Sequence, residues 1–429
     1  MTEQTSMETN KQGELKRVLS LPLVSLFGLG NILGAGIYVL IGRVAAESGY
    51  YAPLSFIVAA CIAAITAFSF AELSSRFPLS AGSALYVHRG FNRQQLTRVI
   101  GILVVLTGIV SAATMAKGFV GYLSLFFETS DWLVILLLLF FLGALASWGI
   151  SQSVATAAVI TAIEVLGLLI VLAVAMPDAA QFSPSQLMES EGQFFNIFGI
   201  MSGSFLAFYA FIGFEDMVNV AEEVKQPRRN MPLAIVFSLV GATVLYVLVA
   251  VAALLVVPPQ VLGQSDAPLA LVYETATGNN AWLISLISLF AVINGALIQI
   301  IMGSRVLYGL AREDLLPKLF ALVNPMTSTP IFATWVVSGL VVIAAWWFPI
   351  EVLARTTTTL LLVVFCCVNI SLIKIKQRGE QEEGIFEVPI FEVPIFEVPI
   401  FEVPMAVPIA GALVCGLFLI GEGLSFLTT

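Results

Sequence analysis

Four glycines stand within nine residues of an apolar stretch, at Gly28, Gly30, Gly34 and Gly36. Elsewhere Lys117, Glu164 and Asn294 each stand alone among apolar neighbours, and Glu215 and Asp216 follow a glycine at Gly213. Each glycine disfavours a continuous helix by about 1 kcal/mol relative to alanine, and glycine lets a backbone approach a ligand closely. A helix broken there leaves N–H groups unpaired at the start of its second piece and carbonyls unpaired at the end of its first. The first set favours negative groups and the second positive ones. The alternative is tight helix packing by small residues. An isolated carboxyl such as Glu164 can exchange a proton, pair or hydrogen-bond with a neighbour, or hold a cation. A charge at mid-membrane costs at least about 2.5 kcal/mol, which makes such a residue a functional candidate by default.

The elements that carry these residues are membrane helices. Apolar residues make up 59% of the chain and charged ones 11%, against roughly 25% charged in soluble domains. Eleven stretches are long enough to span hydrocarbon, near 21–46, 51–75, 98–127, 131–149, 153–176, 195–222, 232–257, 280–310, 331–349, 352–375 and 405–425. Backbone groups in a bilayer must pair within each segment, so the fold expected is an all-α polytopic membrane protein. The first apolar run is too long for a signal peptide and reads as a retained helix. Cys61, Cys366, Cys367 and Cys415 read as buried small hydrophobes without metal-ligand spacing.

With a cytoplasmic N-terminus, sixteen of the nineteen basic residues fall on the inner side, in segments that include Arg17, Arg76, Arg89, Lys225, Arg305 and Lys376. Glu128, Asp131, Asp178, Glu189, Asp266 and Glu274 fall on the outer side. The positive-inside rule therefore gives this orientation, in a cell (inner) membrane.

The chain divides into a tail (1–20), a first five-helix half (21–176), an outer loop (177–194), a second half (195–375), an inner loop (376–404) and a last helix (405–429). Five helices per half give the halves opposite orientations. Transporters built as such inverted repeats place their site between broken helices in corresponding positions. The first helix of the second half, reading Phe208-Tyr209-Ala210-Phe211-Ile212-Gly213, again carries a glycine near mid-depth. The inner loop repeats Ile-Phe-Glu-Val-Pro four times from Ile385 to Pro404. Proline every fifth residue excludes a regular helix, and the tract reads as tandem expansion of one helix-entry motif.

Four motifs resemble the amino acid–polyamine–organocation transporter superfamily. These are Asn31-Ile32-Leu33-Gly34-Ala35-Gly36-Ile37-Tyr38; Glu72-Leu73-Ser74-Ser75-Arg76-Phe77-Pro78 with Gly82 and Tyr86; Phe208 to Gly213 followed by Ala221 to Arg229; and Ser304-Arg305 through Leu316-Pro317. The resemblance implies a 5+5 inverted-repeat core with discontinuous first and sixth helices and secondary active transport by alternating access. Amino acid or polyamine substrates and an amino acid permease in particular are implied. The family commonly has twelve spans, whereas eleven are counted here, which touches a peripheral dimer contact; monomer and homodimer both stay open.

By the same resemblance, N–H groups of Gly34, Ala35 and Gly36 take the substrate carboxylate. Carbonyls near Ile32, Phe208 and Phe211 take its ammonium, and Phe208, Tyr209, Phe211, Ile212 and Gly213 line or close the pocket. Glu164 falls where some proton-coupled relatives carry a lysine. Proton symport is therefore expected, with an exchanger or a transport-inactive sensor as alternatives. Lys117 is expected to pair with Glu164, Glu215 or Asp216, or to extend its stem outward. Asn294 lines the pathway or bonds between helices. His88 reads as a solvated loop residue. The expected partners are an amino acid, protons and the lipid bilayer, with no nucleic acid, metal or cofactor. No phosphate loop, zinc-protease motif or nucleophile elbow appears, so the chain is not expected to be an enzyme.

Overall fold

Apolar helices dominate the computed structural model, which describes residues 17, 19–34, 36–78, 82–148, 154–179, 197–312, 314–324, 327, 329–378 and 401–428. In chain order they are α1 (Leu21–Leu33), α2 (Gly36–Ser48), α3 (Ala52–Arg76), α4 (Gly82–Phe91), α5 (Gln94–Leu123), α6 (Asp131–Ser147), α7 (Val154–Ala179) and α8 (Ile197–Tyr209). A 3-10 segment (Phe214–Glu223) precedes α9 (Pro227–Val256), α10 (Pro259–Gln264), α11 (Pro268–Thr277), α12 (Trp282–Arg312), α13 (Ile331–Trp347), α14 (Ile350–Gln377) and α15 (Ala406–Thr428). Eight helical runs are long and apolar enough to cross a membrane, and α1, α6 and α13 are shorter apolar helices. The protein is an all-α, multi-pass membrane protein.

Helix composition explains both the core and the outer surface. Large apolar side chains such as Phe140, Phe141, Trp347, Leu413 and Leu417 stay exposed, which suits contact with lipid chains rather than water. Inside, α5 packs along α12, α3 along α8 and α9, and α1 against α7 and α9. Gly28 and Gly30 serve this packing. A Cβ on either would collide with Met217 or with Thr161 of α7.

Three helices fall in segments read as loops: α4 after the second span, and α10 and α11 after the seventh. They are short, and their apolar content falls below a spanning helix, so hydropathy passes over them. Cys61 departs from expectation too. It is exposed on the outer surface, while Cys415 alone of the four is fully buried.

The bundle has two chemically distinct ends. One carries Arg76, Arg89, Arg305 and Lys376 and is called the basic end here. At the other, Arg43 reaches Asp266 and Glu351, both at 3.0 Å, and Arg355 reaches Glu47 at 2.9 Å and Glu422 at 2.6 Å.

Candidate substrate site at the paired helix breaks

Helix α1 stops at Leu33 and α2 starts at Gly36, so the first apolar stretch is interrupted in mid-span. Gly34 adopts φ 21°, ψ −133° and donates its N–H to Gly30 O at 3.0 Å. Ala35 lies outside the described residues. The leading N–H groups of α2, from Gly36 on, have no partner within their own helix, as at any helix start. The second interruption follows Tyr209, where α8 gives way to turns and then to the 3-10 segment. Gly213 makes the change of direction with φ 127°, a conformation side chains rarely adopt.

The two breaks press against each other. A Cβ built on Gly36 would fall 2.5 Å from Ala210 Cα, and one on Gly213 would fall 2.5 Å from Asn31 O. Glycine is thus required at each of two backbone contacts, Gly36 with Ala210 and Gly213 with Asn31. The Tyr246 hydroxyl from α9 lies 2.6 Å from Ile32 O and 2.7 Å from Ala210 O. It has a single proton, which the two exposed carbonyls share. The Ile32 carbonyl, expected for the substrate ammonium, is therefore covered in this arrangement.

The aromatics of the second break are packed rather than lining an open space. Phe208 stacks edge-on against Phe365 of α14 at 6.1 Å, and Phe211 against Tyr246 at 5.1 Å. The Tyr209 hydroxyl is 3.0 Å from Ser111 Oγ on α5. Ile32, Phe208, Tyr209, Phe211 and Ile212 are all buried, at 6% exposure or less.

A cavity of about 970 Å³ runs from the basic end, where Ser83, His88, Thr97 and Arg305 line it, up to Glu215, Asp216, Asn219 and Gln299. It reaches the chain two residues past Gly213 and includes none of the residues expected to line the pocket. Gln299 Nε2 donates to Asp216 at 3.3 Å, and Glu215 accepts from the Gly213 N–H at 2.8 Å. His88 differs from its reading as a solvated loop residue. It sits half-buried on α4, lines this cavity, and its Nδ1 is 3.1 Å from Thr97 Oγ1.

Glu164 is fully buried on α7, and neither carboxyl oxygen has a hydrogen-bond partner. Asn294 of α12 is the polar side chain facing it, and its Oδ1 is also without a partner. Tyr38 of α2 donates its hydroxyl to Glu164 O at 2.5 Å and in turn receives Tyr122 on its own carbonyl at 2.6 Å. Glu164 thus lies directly behind the second piece of the first broken helix. Lys117 makes no ion pair within 4 Å among the described residues. It lies one helical turn from Gly121, which packs against Asp266, at the end of the bundle opposite to Glu215 and Asp216. Among the described residues, Glu164, Glu215 and Asp216 make no ion pair with it.

Residues 19–427 match the family model described as amino acid permease. The chain belongs to the amino acid permease family. The permease is 31% identical over 388 residues to the mitochondrial cationic amino acid transporter 3 of Arabidopsis thaliana, covering 85% of this chain and 63% of that one. It is 30% identical to human cationic amino acid transporter 4 (87% and 61%) and 26% identical to the branched-chain amino acid permease BcaP of Bacillus subtilis strain 168 (86% and 83%). The permease therefore spans about three-fifths of the cationic transporters it matches.

Sequence reasoning passed over Tyr246, Tyr38 and Gln299. Each is an ordinary residue in an apolar or helical run, and only the crossing of α9, α2 and α12 over the breaks gives it a partner. A tyrosine inside an apolar span was the one signal available, since a buried hydroxyl needs a hydrogen-bond partner.

Proposed function

We propose that this permease is a secondary active transporter of amino acids that works by alternating access, with the substrate's backbone groups held at the two helix breaks. The contact of Gly36 with Ala210 and of Gly213 with Asn31 carries this reading. It brings the N–H groups that open α2 next to the carbonyls that end α1 and α8, which is the pairing an α-carboxylate and α-ammonium require. Ile32, Gly34, Ala35, Gly36, Phe208, Tyr209, Phe211, Ile212 and Gly213 form the proposed site. The basic end is cytoplasmic by the positive-inside rule. The cavity then opens inward and the Arg43 and Arg355 ion pairs close the outer side. The two halves act as a 5+5 inverted repeat.

Glu164 carries the coupling proton. A carboxylate with only the Asn294 side chain facing it in this enclosure would cost several kcal/mol, and a proton removes that cost. Asn294, which faces the carboxyl, then relays its charge state to α12. A cationic side chain is the favoured substrate class because Glu215 and Asp216 line the head of the cavity; relatives bearing the name cationic amino acid transporter support this reading.

Proteoliposome uptake of labelled arginine and leucine, with and without an inward proton gradient, tests both parts. Gradient-driven accumulation of arginine above leucine is expected. Binding without accumulation or counterflow would instead make the protein a sensor on the same fold. Counterflow that ignores the gradient would make it an exchanger.

A further inference from the structure

Three cations, Arg89, Lys374 and Arg378, meet in one seam between α4 and α14. A Cβ on Gly90 would fall 2.5 Å from Ser371 Cα, so the two helices touch closely at that point. Lys374 and Arg378 follow Ser371 at spacings of three and then four, which puts them on the face of α14 that meets α4. Lys374 Nζ lies 3.9 Å from the centre of the Phe91 ring, and the Arg89 guanidinium lies 5.6 Å from that of Phe77. Arg378 donates to Arg89 O at 3.1 Å. Among the described residues none of the three is in an ion pair, and Arg89 Nε is buried without a hydrogen-bond partner. Arg93 and Arg98 add two more cations at the turn into α5. Neither strand of chain supplies an acid here: none lies between Glu72 and Glu128, or between Glu351 and Glu380. The carbonyl end of α4 offsets only about half an elementary charge. Cations this close repel one another, so the seam is complete only with an anion.

We infer that the seam is a headgroup site for an anionic phospholipid, whose phosphate is taken by Arg89, Lys374 and Arg378. A guanidinium offers paired donors that match phosphate oxygens, and an ammonium adds a point charge. Hydrocarbon begins beside these cations, which favours a lipid over a free anion. Val99, next to Arg98, is 51% exposed, and Leu106 stays exposed two turns further along α5. Basic pockets between membrane helices at the inner surface bind such headgroups. The site lies apart from the helix breaks. It fixes α4, which carries Ser83 and His88 of the cavity wall, against α14, and the bound lipid thereby steadies the inner mouth of the cavity. The chain's own alternatives, Glu380, Glu382, Glu383 and the acids of the first three Ile-Phe-Glu-Val-Pro copies, lie outside the described residues.

Native mass spectrometry and melting of the full chain test this, in nanodiscs of phosphatidylcholine alone or mixed with phosphatidylglycerol. Retained phosphatidylglycerol and a higher Tm in the mixed discs are expected. Lys374→Gln with Arg378→Gln should cut that retention by about thirtyfold and abolish the gain in Tm. Arg312→Gln with Lys318→Gln removes the same charge at the same end outside the seam, and should leave both readouts unchanged. Lys374→Arg with Arg378→Lys keeps the charges and should keep the lipid, which separates loss of charge from loss of folding. Equal loss of retention in the two glutamine pairs overturns the inference, because a diffuse basic surface would then suffice. The same gain in Tm from inorganic phosphate in phosphatidylcholine discs overturns it in favour of a free anion. Glu380→Gln with Glu382→Gln and Glu383→Gln should leave retention unchanged. A fall in Tm in that variant, with no phosphatidylglycerol retained by the unaltered protein, would assign the seam's counter-charges to the chain itself and overturn it too.

Discussion

The Tyr246 hydroxyl lies 2.6 Å from the carbonyl oxygen of Ile32, so a residue of α9 covers the exposed end of α1. It lies 2.7 Å from the carbonyl of Ala210 as well, and thus ties the two helix breaks to one point. A substrate ammonium placed at Ile32 must displace this hydroxyl or share the carbonyl with it.

Tyr246→Phe should therefore separate stability from transport. Removing the hydroxyl leaves two buried carbonyls without a donor, at a cost of about 1–3 kcal/mol. The ring itself keeps its contacts with Phe56 and Phe211. The expected result is a lower Tm in detergent with the chain still folded, together with substrate binding that restores more stability than it does in the unaltered protein. Unchanged melting would mean that the hydroxyl is not the cap of these carbonyls.

Glycine at the second break can be tested against a glycine elsewhere that also has positive φ. Gly213 combines φ 127° with a would-be Cβ contact of 2.5 Å to Asn31 O. Gly278, which ends α11, has φ 67° and nothing within 4 Å. Gly278→Ala meets only the left-handed backbone penalty, about 1–2 kcal/mol. Gly213→Ala meets a backbone outside the left-handed well, which side chains rarely adopt, and also forces the breaks apart. Transport should be lost in Gly213→Ala and kept in Gly278→Ala at matched expression. Equal transport in the two variants would remove the break-to-break contact from the site.

These examples mark where sequence was sufficient. Helices and their order follow from hydropathy, because a bilayer forces each backbone to satisfy itself. The interruptions at 33–36 and 209–214 follow from glycine where a helix should be continuous. What composition does not carry is which helix crosses which. Phe208 and Phe211 are read as pocket-lining, and their packing against Phe365 and Tyr246 in this arrangement rests on contacts distant in sequence. For Lys117, read from sequence as paired with an acid or extended outward, no ion pair forms among the described residues. Short helices such as α4, which brings His88 to the cavity, lie below the length that hydropathy detects.

Glu164→Gln keeps the shape of the side chain and removes its exchangeable charge. Asn294 Oδ1 faces Glu164 and is itself without a partner, so the amide N–H has an acceptor and the protein should melt near its usual temperature. Proton-driven accumulation should fall to the level seen without a gradient, while counterflow of preloaded substrate persists. Accumulation that kept its full dependence on the gradient would remove Glu164 from coupling and leave it a packing role beside Asn294.

The ion pairs at the acidic end differ in how much they should matter. Arg43 is a quarter exposed, and its partners Asp266 and Glu351 are 74% and 37% exposed. Pairs of this kind contribute roughly 0–1 kcal/mol and are screened by salt. Arg355 is 16% exposed and reaches Glu422, which is only 8% exposed, at 2.6 Å. Taking the cation from a buried carboxylate costs about 3–5 kcal/mol. Arg355 also bonds Glu47 of α2 and Ser202 of α8, so its loss loosens the second piece of the first broken helix from its neighbours. Arg355→Gln should therefore lower Tm strongly and to a similar degree at low and high salt. Arg43→Gln should have a small effect that fades as salt rises. If the two variants melted alike, Arg355 would not be the residue that holds this end of the bundle together.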